Sequence, residues 1–206
     1  IYNLVVTDMT ERKRCVGILL AGGLSRRYGS PKAFSKINGK KFYEISYEIL
    51  SAICDHVVIV TRSELTHRFP KDKHVIIDIP PYSGCGPLAG IFSAMITEKA
   101  DHYVVLPCDM PLLTKEIVRK LYDHHKKDIT VTVVGDRLQP LVSIWDYHMV
   151  EKIKWMLDKR NFKMTEVLKL ADVEYVEASQ LTSSLHLLMN VNTPKEAKEA
   201  RKWVPS

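Results

Sequence analysis

The sequence contains no long apolar segment. Across 206 residues, no run of apolar side chains approaches the ~18–20 that a membrane-spanning helix requires. Its start shows no charged, apolar and small-residue pattern of the kind that directs secretion. We therefore expect a cytoplasmic protein that has no membrane partner.

Cysteine and histidine patterns that bind metals are also missing. The four cysteines, Cys15, Cys54, Cys85 and Cys108, are widely separated and form no CxxC pair. A structural zinc site is therefore not expected, and such scattered cysteines are typical of reduced side chains in or near a core. None of the eight histidines takes the HxxxH spacing, so the sequence predicts neither a histidine metal site nor a Ser-His-Asp triad.

Clustered positive charge, a usual sign of nucleic-acid binding, is scarce. Lys and Arg total 30 against 24 Asp and Glu, which gives a formal net charge of +6. The longest basic block is Arg12-Lys13-Arg14, and no basic stretch is interleaved with aromatic residues. This mild excess suits small anionic ligands such as phosphates, and we expect no nucleic-acid partner.

The first half of the sequence alternates buried strands with helices. Continuous Val/Ile runs bounded by turn residues predict strands, and apolar residues at helical spacing predict helices. The predicted strands are 16–20, 56–60, 74–78 and 102–111, which ends in a loop; the predicted helices are 42–53, 86–96 and one after the N-cap Thr114. This alternation is typical of a parallel sheet covered on both faces.

The second half has a different pattern. Its predicted elements are two strands around a turn at Gly135-Asp136, then two helices, at 129–134, 138–145, 147–157 and about 164–170. The last predicted helix starts from a capping box, with Thr193 as N-cap, Pro194 as first residue and Glu196 three positions on.

Three candidate functional features follow predicted strands of the first half. A glycine-rich loop follows the first strand, Asp78 ends the third strand and Asp109 follows the fourth. Parallel strands bring their carboxyl ends to one edge of the sheet, where ligands bind. We therefore expect the loop and both carboxylates to meet in one site.

The loop lies in the segment ILLAGGLSRRYGSPKAF, residues 18–34. Its three glycines permit tight turns, successive backbone N–H groups can form a nest for anions, and Arg26, Arg27 and Lys32 add positive charge. A triphosphate is the expected ligand. The alternative is that the loop is only a glycine turn whose arginines are solvated and that it binds no ligand. The glycine spacing fits neither the dinucleotide-binding fingerprint nor the Walker A motif, so neither of those classes is favoured.

The loop does fit the pattern LAGGxSxRxGxxK, which covers residues 20–32 without a gap. This pattern resembles the nucleotidyltransferases that activate sugars, alcohols and cofactors, and most of all the molybdenum cofactor guanylyltransferase family. Four further segments match that family in order: GPLAG at 86–90, PCDMP at 107–111, QPLVSIW at 139–145 and NVNTP at 190–194. The resemblance extends across nearly the whole chain.

The resemblance implies roles for three charged residues. Asp109 would hold Mg²⁺ through its carboxylate, Lys32 would reach the phosphates and Arg27 would neutralise the pyrophosphate leaving group. Arg26 has no counterpart in the motif, and we expect it to be solvated. From the residues alone, purely structural roles stay open: Asp109 could cap the start of a helix, and Lys32 could be a solvated surface residue.

The resemblance also implies that Leu20, Ala21, Gly22 and Gly23 bind the nucleotide. Cytidylyltransferase relatives carry LAAG at this position. Gly22 in place of the alanine leaves room for a purine, which favours GTP over CTP.

The guanine-binding side of the site departs in part from the family pattern. Asp78 occupies the position of a family aspartate that binds the guanine nucleotide, although a strand-end cap would have the same place. A family asparagine that follows the second strand is replaced by Thr61 or Arg62, which puts that contact in doubt.

The acceptor side is predicted from two segments late in the chain. Asn190 and Asn192 alternate on an extended segment, so both amides can face one ligand, and in relatives an asparagine here lies near the metal and the acceptor phosphate. An Asx turn before the last helix is the alternative. A small basic cluster is formed by Lys159, Arg160 and Lys163. It could bind the phosphate of the pterin, or its side chains could simply be solvated.

These observations predict a three-layer α/β fold with a mainly parallel, twisted sheet flanked by helices, similar to the Rossmann-like nucleotidyltransferase fold. We expect residues 1–8 to be upstream sequence and 9–206 to be one nucleotidyltransferase domain, with the nucleotide-binding half ending near 112. The implied reaction is GMP transfer from GTP to the phosphate of molybdopterin, with Mg²⁺ as cofactor. A sister transferase that uses CTP or another phosphorylated acceptor stays open, as do a non-catalytic carrier and docking with cofactor-synthesis proteins or apo-molybdoenzymes.

Overall fold

The first half of the chain folds into the alternation that the sequence predicts. The computed structural model describes residues 12–25 and 27–203. The elements up to residue 123 are β1 (Cys15–Leu20), β2 (Lys36–Ile37), β3 (Lys40–Lys41), α1 (Phe42–Ser51), β4 (His56–Thr61), β5 (His74–Ile77), α2 (Pro87–Thr97), β6 (His102–Pro107) and α3 (Lys115–Asp123). The predicted third strand ends one residue early, so Asp78 lies just beyond it. The hairpin β2–β3 was not predicted, because two-residue strands leave no periodicity.

The second half contains the two predicted strands and three predicted helices, with additions. Its elements are β7 (Ile129–Val134), β8 (Arg137–Asp146), α4 (Met149–Asp158), α5 (Met164–Leu168), β9 (Val173–Glu177), α6 (Ala178–Leu181) and α7 (Pro194–Ala200). The turn between β7 and β8 is confirmed, and Gly135 there has a φ of 58°. The capping box of α7 is also confirmed, since the Thr193 side chain accepts a hydrogen bond from the Glu196 N–H.

The main sheet has seven strands in the order β5-β4-β1-β6-β8-β7-β9. β8 runs antiparallel to its neighbours β6 and β7, while every other neighbouring pair is parallel. β9 was not predicted because it is a short edge strand, VEYVE, whose polar and apolar residues do not alternate regularly, and Tyr175 in it is exposed. The mainly parallel sheet is confirmed.

Helices cover both faces of this sheet and make the predicted three layers. The helices α1, α3 and α6 pack in one apolar cluster on one face, and α2, α4 and α5 pack in a second cluster on the other face. Gly17 in β1 allows α1 to lie close to the sheet, since a Cβ there would sit 2.9 Å from the Cβ of Leu50.

Two further predictions concern the start of the chain and membrane-spanning helices. Residues 1–8 and the expected domain start at Met9 lie outside the described residues. Within the described ranges, no helix has the length and apolar content that crossing a membrane requires.

Candidate nucleotide-binding and catalytic site

A cavity of about 680 Å³ opens at the carboxyl edge of the sheet. The segments that follow β1, β4, β5 and β6 all line it, which confirms that the glycine loop, Asp78 and Asp109 meet at one edge. Leu20, Ala21, Gly22, Gly23 and Lys32 line it as well. The topology therefore assembles one site from segments that are far apart in the sequence, from Leu20 to Leu141.

The glycine loop is held against the end of β4. The Ala21 N–H donates to the Val60 carbonyl at 2.8 Å, and a Cβ added at Gly22 would lie 3.4 Å from the Cα of Thr61. Further along, Ser25 adopts a φ of 50° and its hydroxyl accepts from the Lys32 N–H at 3.1 Å. This turn folds the loop back, so that Lys32 points to the same edge as the strand ends.

Lys32 forms a nearly buried ion pair with Asp109. The Lys32 Nζ lies 2.7 Å from Asp109 Oδ2, and the two side chains are 12% and 19% exposed. The same Nζ donates to Asn192 Oδ1 at 2.8 Å, and Asn190 Nδ2 donates to Asp109 Oδ1 at 3.1 Å. The four predicted polar residues therefore form one network, with a cation and a carboxylate at its centre.

The segment before α7 is tied to this network through its backbone. The Val191 N–H donates to the Asp109 carbonyl at 2.7 Å. Glu196, in the first turn of α7, accepts from the Asn192 N–H at 2.6 Å and the Thr193 N–H at 3.1 Å. The capping box of α7 therefore also orients the amide that contacts Lys32.

Asp78 lies on the other side of the cavity. Its Oδ2 accepts from the Gly84 N–H at 2.9 Å, and burial raises the pKa of its carboxyl group above the usual value. Gly90 in α2 keeps this side open, because a Cβ there would lie 3.0 Å from Leu20 and 3.6 Å from Asp78 Oδ1.

The structure distinguishes the two residues at the position of the missing asparagine. Thr61 is buried, and its hydroxyl donates to the Ala21 carbonyl at 3.2 Å, so its side chain is used for the fold. Arg62 lines the cavity and pairs with Glu64 at 2.6 Å. Among the described residues, no partner contacts the buried Arg62 Nε. Its place in the cavity wall makes Arg62 a candidate that the sequence motif could not single out.

Cys108 also lines the cavity, next to Asp109 in the sequence. Burial raises the pKa of its thiol to about 12. The thiol is therefore protonated near neutral pH, which argues against a role as nucleophile.

The remaining predicted cations lie elsewhere. Arg27 is exposed in a turn, and Lys159, Arg160 and Lys163 are exposed at and after the end of α4. In the described part of the chain, none of these four is among the residues that line the cavity. Their roles toward pyrophosphate and acceptor stay predictions, and Arg26 lies outside the described residues.

Comparisons with known proteins agree with this site. The family described as MobA-like NTP transferase domain matches residues 17–175. A relative from Geobacillus sp. (strain WCH70), named "Probable molybdenum cofactor guanylyltransferase", is 38% identical over 187 residues, which cover 89% of this chain and 96% of the relative. A relative of the same name from Halalkalibacterium halodurans is 35% identical over 190 residues, with 89% and 96% covered.

A solved structure from the same family has a similar fold. The molybdopterin-guanine dinucleotide biosynthesis protein A from Archaeoglobus fulgidus is 25% identical, with a TM-score of 0.77 that covers 91% of this chain and 97% of that one. The fold of that structure thus extends over both halves of this chain. With its LAGG loop and its PCDMP segment meeting at one cavity, the chain belongs to the MobA-like NTP transferase family.

Proposed function

We propose that this protein transfers GMP from GTP to the phosphate of molybdopterin, giving molybdopterin guanine dinucleotide and pyrophosphate. The observation that carries the proposal is the Lys32–Asp109–Asn192 contact beside the cavity. A cation and a carboxylate in one nearly buried pair suit a reaction in which phosphate charge has to be neutralised. The names of its relatives support the choice of substrates.

The guanine base would lie between Asp78 and Arg62. Both residues line the cavity, one with a carboxylate and the other with a guanidinium group. Guanine presents N1–H and N2–H₂ donors on one edge and O6 and N7 acceptors on another. The two side chains are thus chemically complementary to guanine, whereas cytosine offers a single exocyclic amine donor.

The triphosphate would lie along the glycine loop. Lys32 has three ammonium protons, and in the described structure it donates to Asp109 and Asn192. One proton is then available for a phosphate oxygen, and the loop N–H groups around Gly22 and Gly23 add further donors. Arg27 would approach the leaving pyrophosphate from the exposed side of the same loop.

The residues around Asp109 fit a magnesium ion. Mg²⁺ prefers hard oxygen ligands, and Asp109 offers a partly exposed carboxylate beside the side-chain amides of Asn190, which donates to it, and Asn192. A bound Mg²⁺ would supply charge neutralisation for the phosphates of the nucleotide. We propose Asp109 as its protein ligand.

Catalysis would rest on positioning and charge neutralisation. A phosphate oxygen of molybdopterin forms a bond to the α-phosphorus of GTP, and the bond from that phosphorus to the β-phosphate oxygen breaks. The attacking phosphate is already anionic near neutral pH, so the chain has to supply neither a nucleophile nor a strong base. Lys32 and the loop amides would stabilise the charge that develops on the departing pyrophosphate. Docking with cofactor-synthesis proteins or apo-molybdoenzymes stays a prediction from the sequence.

Titration and turnover test this proposal. We expect calorimetry of the purified chain to detect binding of GTP but not of CTP, each with Mg²⁺. Asp109→Ala should lower turnover by at least ~100-fold, in line with the loss of a preorganised charge contact. Asp136→Ala, which changes an exposed turn residue, is the matched control.

Two outcomes would contradict parts of the proposal. A preference for CTP would favour a sister transferase. Near-parental turnover of Asp109→Ala with Mg²⁺ would exclude this residue as the metal ligand.

A further inference from the structure

Three potential metal ligands meet at the amino-terminal edge of the sheet. His56 is the first residue of β4, His74 is the first residue of β5 and Glu98 is the C-cap of α2. One ligand atom from each lies within 4.8 Å of the others. The cluster lies at the opposite ends of the strands from the nucleotide cavity, since Thr61 and Ile77 line that cavity.

The sheet register explains why the two histidines meet. His74 pairs with Val58, two residues after His56, so all three side chains lie on one face of the sheet. Val58 is buried in the cluster that α2 covers. The C-terminal end of α2 therefore brings Glu98 to the same face and the same edge.

The distances between the three ligand atoms fit a metal ion. His56 Nε2 lies 3.1 Å from His74 Nδ1, Glu98 Oε1 lies 3.4 Å from His74 Nδ1, and it lies 3.9 Å from His56 Nε2. Ligands bound to zinc at 2.0–2.1 Å in a tetrahedron are ~3.3 Å from one another. Two of the three separations are within a few tenths of an ångström of this value, and a small rotation of one ring would correct the third.

The surroundings orient the carboxylate and leave access for water. Arg14 Nη2 donates to Glu98 Oε2 at 3.1 Å, which turns the other oxygen toward the histidines. The side chains of His56, His74 and Glu98 are 44%, 32% and 23% exposed. Arg14 is 53% exposed, so solvent screens its charge.

A second group of similar composition, at the start of β6, is less suited to a metal. In it, His125 contacts Thr130 and Asp146 through its two ring nitrogens, and His125 is 2% exposed. His102 contacts a tyrosine hydroxyl through one nitrogen, and its other nitrogen lies 3.1 Å from the ammonium group of Lys13. All four ring nitrogens of this pair therefore already have a polar neighbour, and His125 is almost inaccessible to solvent, which disfavours a cation there.

We propose that His56, His74 and Glu98 bind a Zn²⁺ ion, with water in the fourth position. The ion would join β4, β5 and the end of α2; Arg62 directly follows β4, Asp78 directly follows β5 and Gly90 lies in α2, all at the cavity. A ligand that binds the folded chain and not the unfolded chain raises the free energy of unfolding. The site does not depend on the reaction that the chain catalyses, so it can be tested separately.

The test is calorimetric titration of the metal-free full chain with zinc chloride. We expect one saturable site and a rise in the melting temperature. His56→Gln and His74→Gln should each weaken binding by at least about tenfold, since even an outer-shell partner contributes that much. His67→Gln, which changes an exposed histidine outside both groups, should bind zinc like the parent.

Further variants separate this site from the others. Melting curves in a chelator establish that each variant folds. Zinc affinity that is unchanged in both His56→Gln and His74→Gln would overturn the proposal. So would a loss of binding in His125→Gln or in Asp109→Ala, because the ion would then occupy the second group or the nucleotide site. Tetrahedral absorption bands of bound Co²⁺ that disappear in His74→Gln would support it.

Discussion

Lys32 and Asp109 show how a single pair can serve function more than stability. Both side chains are nearly buried, and the pair lies beside the cavity and outside the three apolar clusters of the core. A desolvated ion pair contributes little net stability, because the loss of hydration offsets its attraction. The pair is therefore better explained by the chemistry of the site than by the needs of the fold.

Removal of the cation at position 32 should lower turnover, and because it leaves Asp109 without its partner, a melting curve has to show that the variant folds. Lys32→Ala should lower turnover by at least ~100-fold, because a charge preorganised for the phosphates is lost. The matched control is Lys36→Ala, an exposed lysine four residues away, which should keep parental turnover. Steady-state kinetics with GTP and molybdopterin measure both. Similar turnover in the two variants would mean that Lys32 does not contact the substrate phosphates.

The choice between purine and pyrimidine can be tested at Gly22. A Cβ there would lie 3.4 Å from the Cα of Thr61 and 3.5 Å from the Arg62 nitrogen, so alanine fits the fold at ordinary contact distances. Gly22→Ala should keep the melting temperature but weaken GTP binding by about tenfold, the lower range for one methylene in a binding pocket. CTP titrated in parallel is the control ligand. Equal changes in affinity for both nucleotides would exclude Gly22 as the discriminating residue.

At the scale of elements, the predictable parts are those with a local signal. The Val/Ile runs of β1, β4 and β6 and the capping box of α7 were visible in the sequence and are confirmed. The edge strand β9 and the hairpin β2–β3 were not, because these strands are too short or too irregular to show a period. The orphaned Arg62 Nε and the Asn192–Lys32 contact depend on packing between distant segments, which no local pattern encodes.

The start of α7 provides a prediction at this scale. Glu196 accepts from the backbone N–H groups of Asn192 and Thr193, so it fixes the segment whose amide contacts Lys32. Glu196→Ala should lower the free energy of unfolding by about 1 kcal/mol, a typical value for a lost cap. It should also lower turnover by about tenfold, as loss of an orienting contact does.

The conservative variant distinguishes capping from charge. Glu196→Gln keeps a carbonyl oxygen at the same place and should retain most of both quantities. Urea unfolding and steady-state kinetics measure them. A Glu196→Ala variant that loses stability but keeps parental turnover would show that α7 does not orient the site.

At the scale of the whole molecule, the two edges of the sheet differ in chemistry. The carboxyl edge carries the glycine loop, Asp78 and Asp109, while the amino edge carries His56, His74, His102 and His125 at or near the starts of strands. Two of these histidines, His102 and His125, have shifted pKa values, so a fall in pH should change stability from the edge opposite the substrates. Stability and substrate binding can therefore respond differently to pH.

The buried histidines determine the direction in which stability changes with pH. Burial lowers the pKa of both His102 and His125 below the ordinary value of 6.5. Asp146 opposes this shift at both histidines, while the Lys13 ammonium group adds to it. Below pH 6.5 the unfolded chain therefore binds protons that the folded chain does not, so stability falls as pH falls toward the lowered values.

Urea unfolding at pH 7.5 and 5.5 measures this effect. The parent should lose on the order of 1 kcal/mol of unfolding free energy between the two values through these histidines. His125→Gln should have a smaller difference, because one titrating group is removed and an amide can replace its hydrogen bonds. His67→Gln, with an exposed histidine changed, should keep the parental difference. An equal pH dependence in the parent and His125→Gln would mean that carboxylates, and not the buried imidazoles, set the acid stability of this fold.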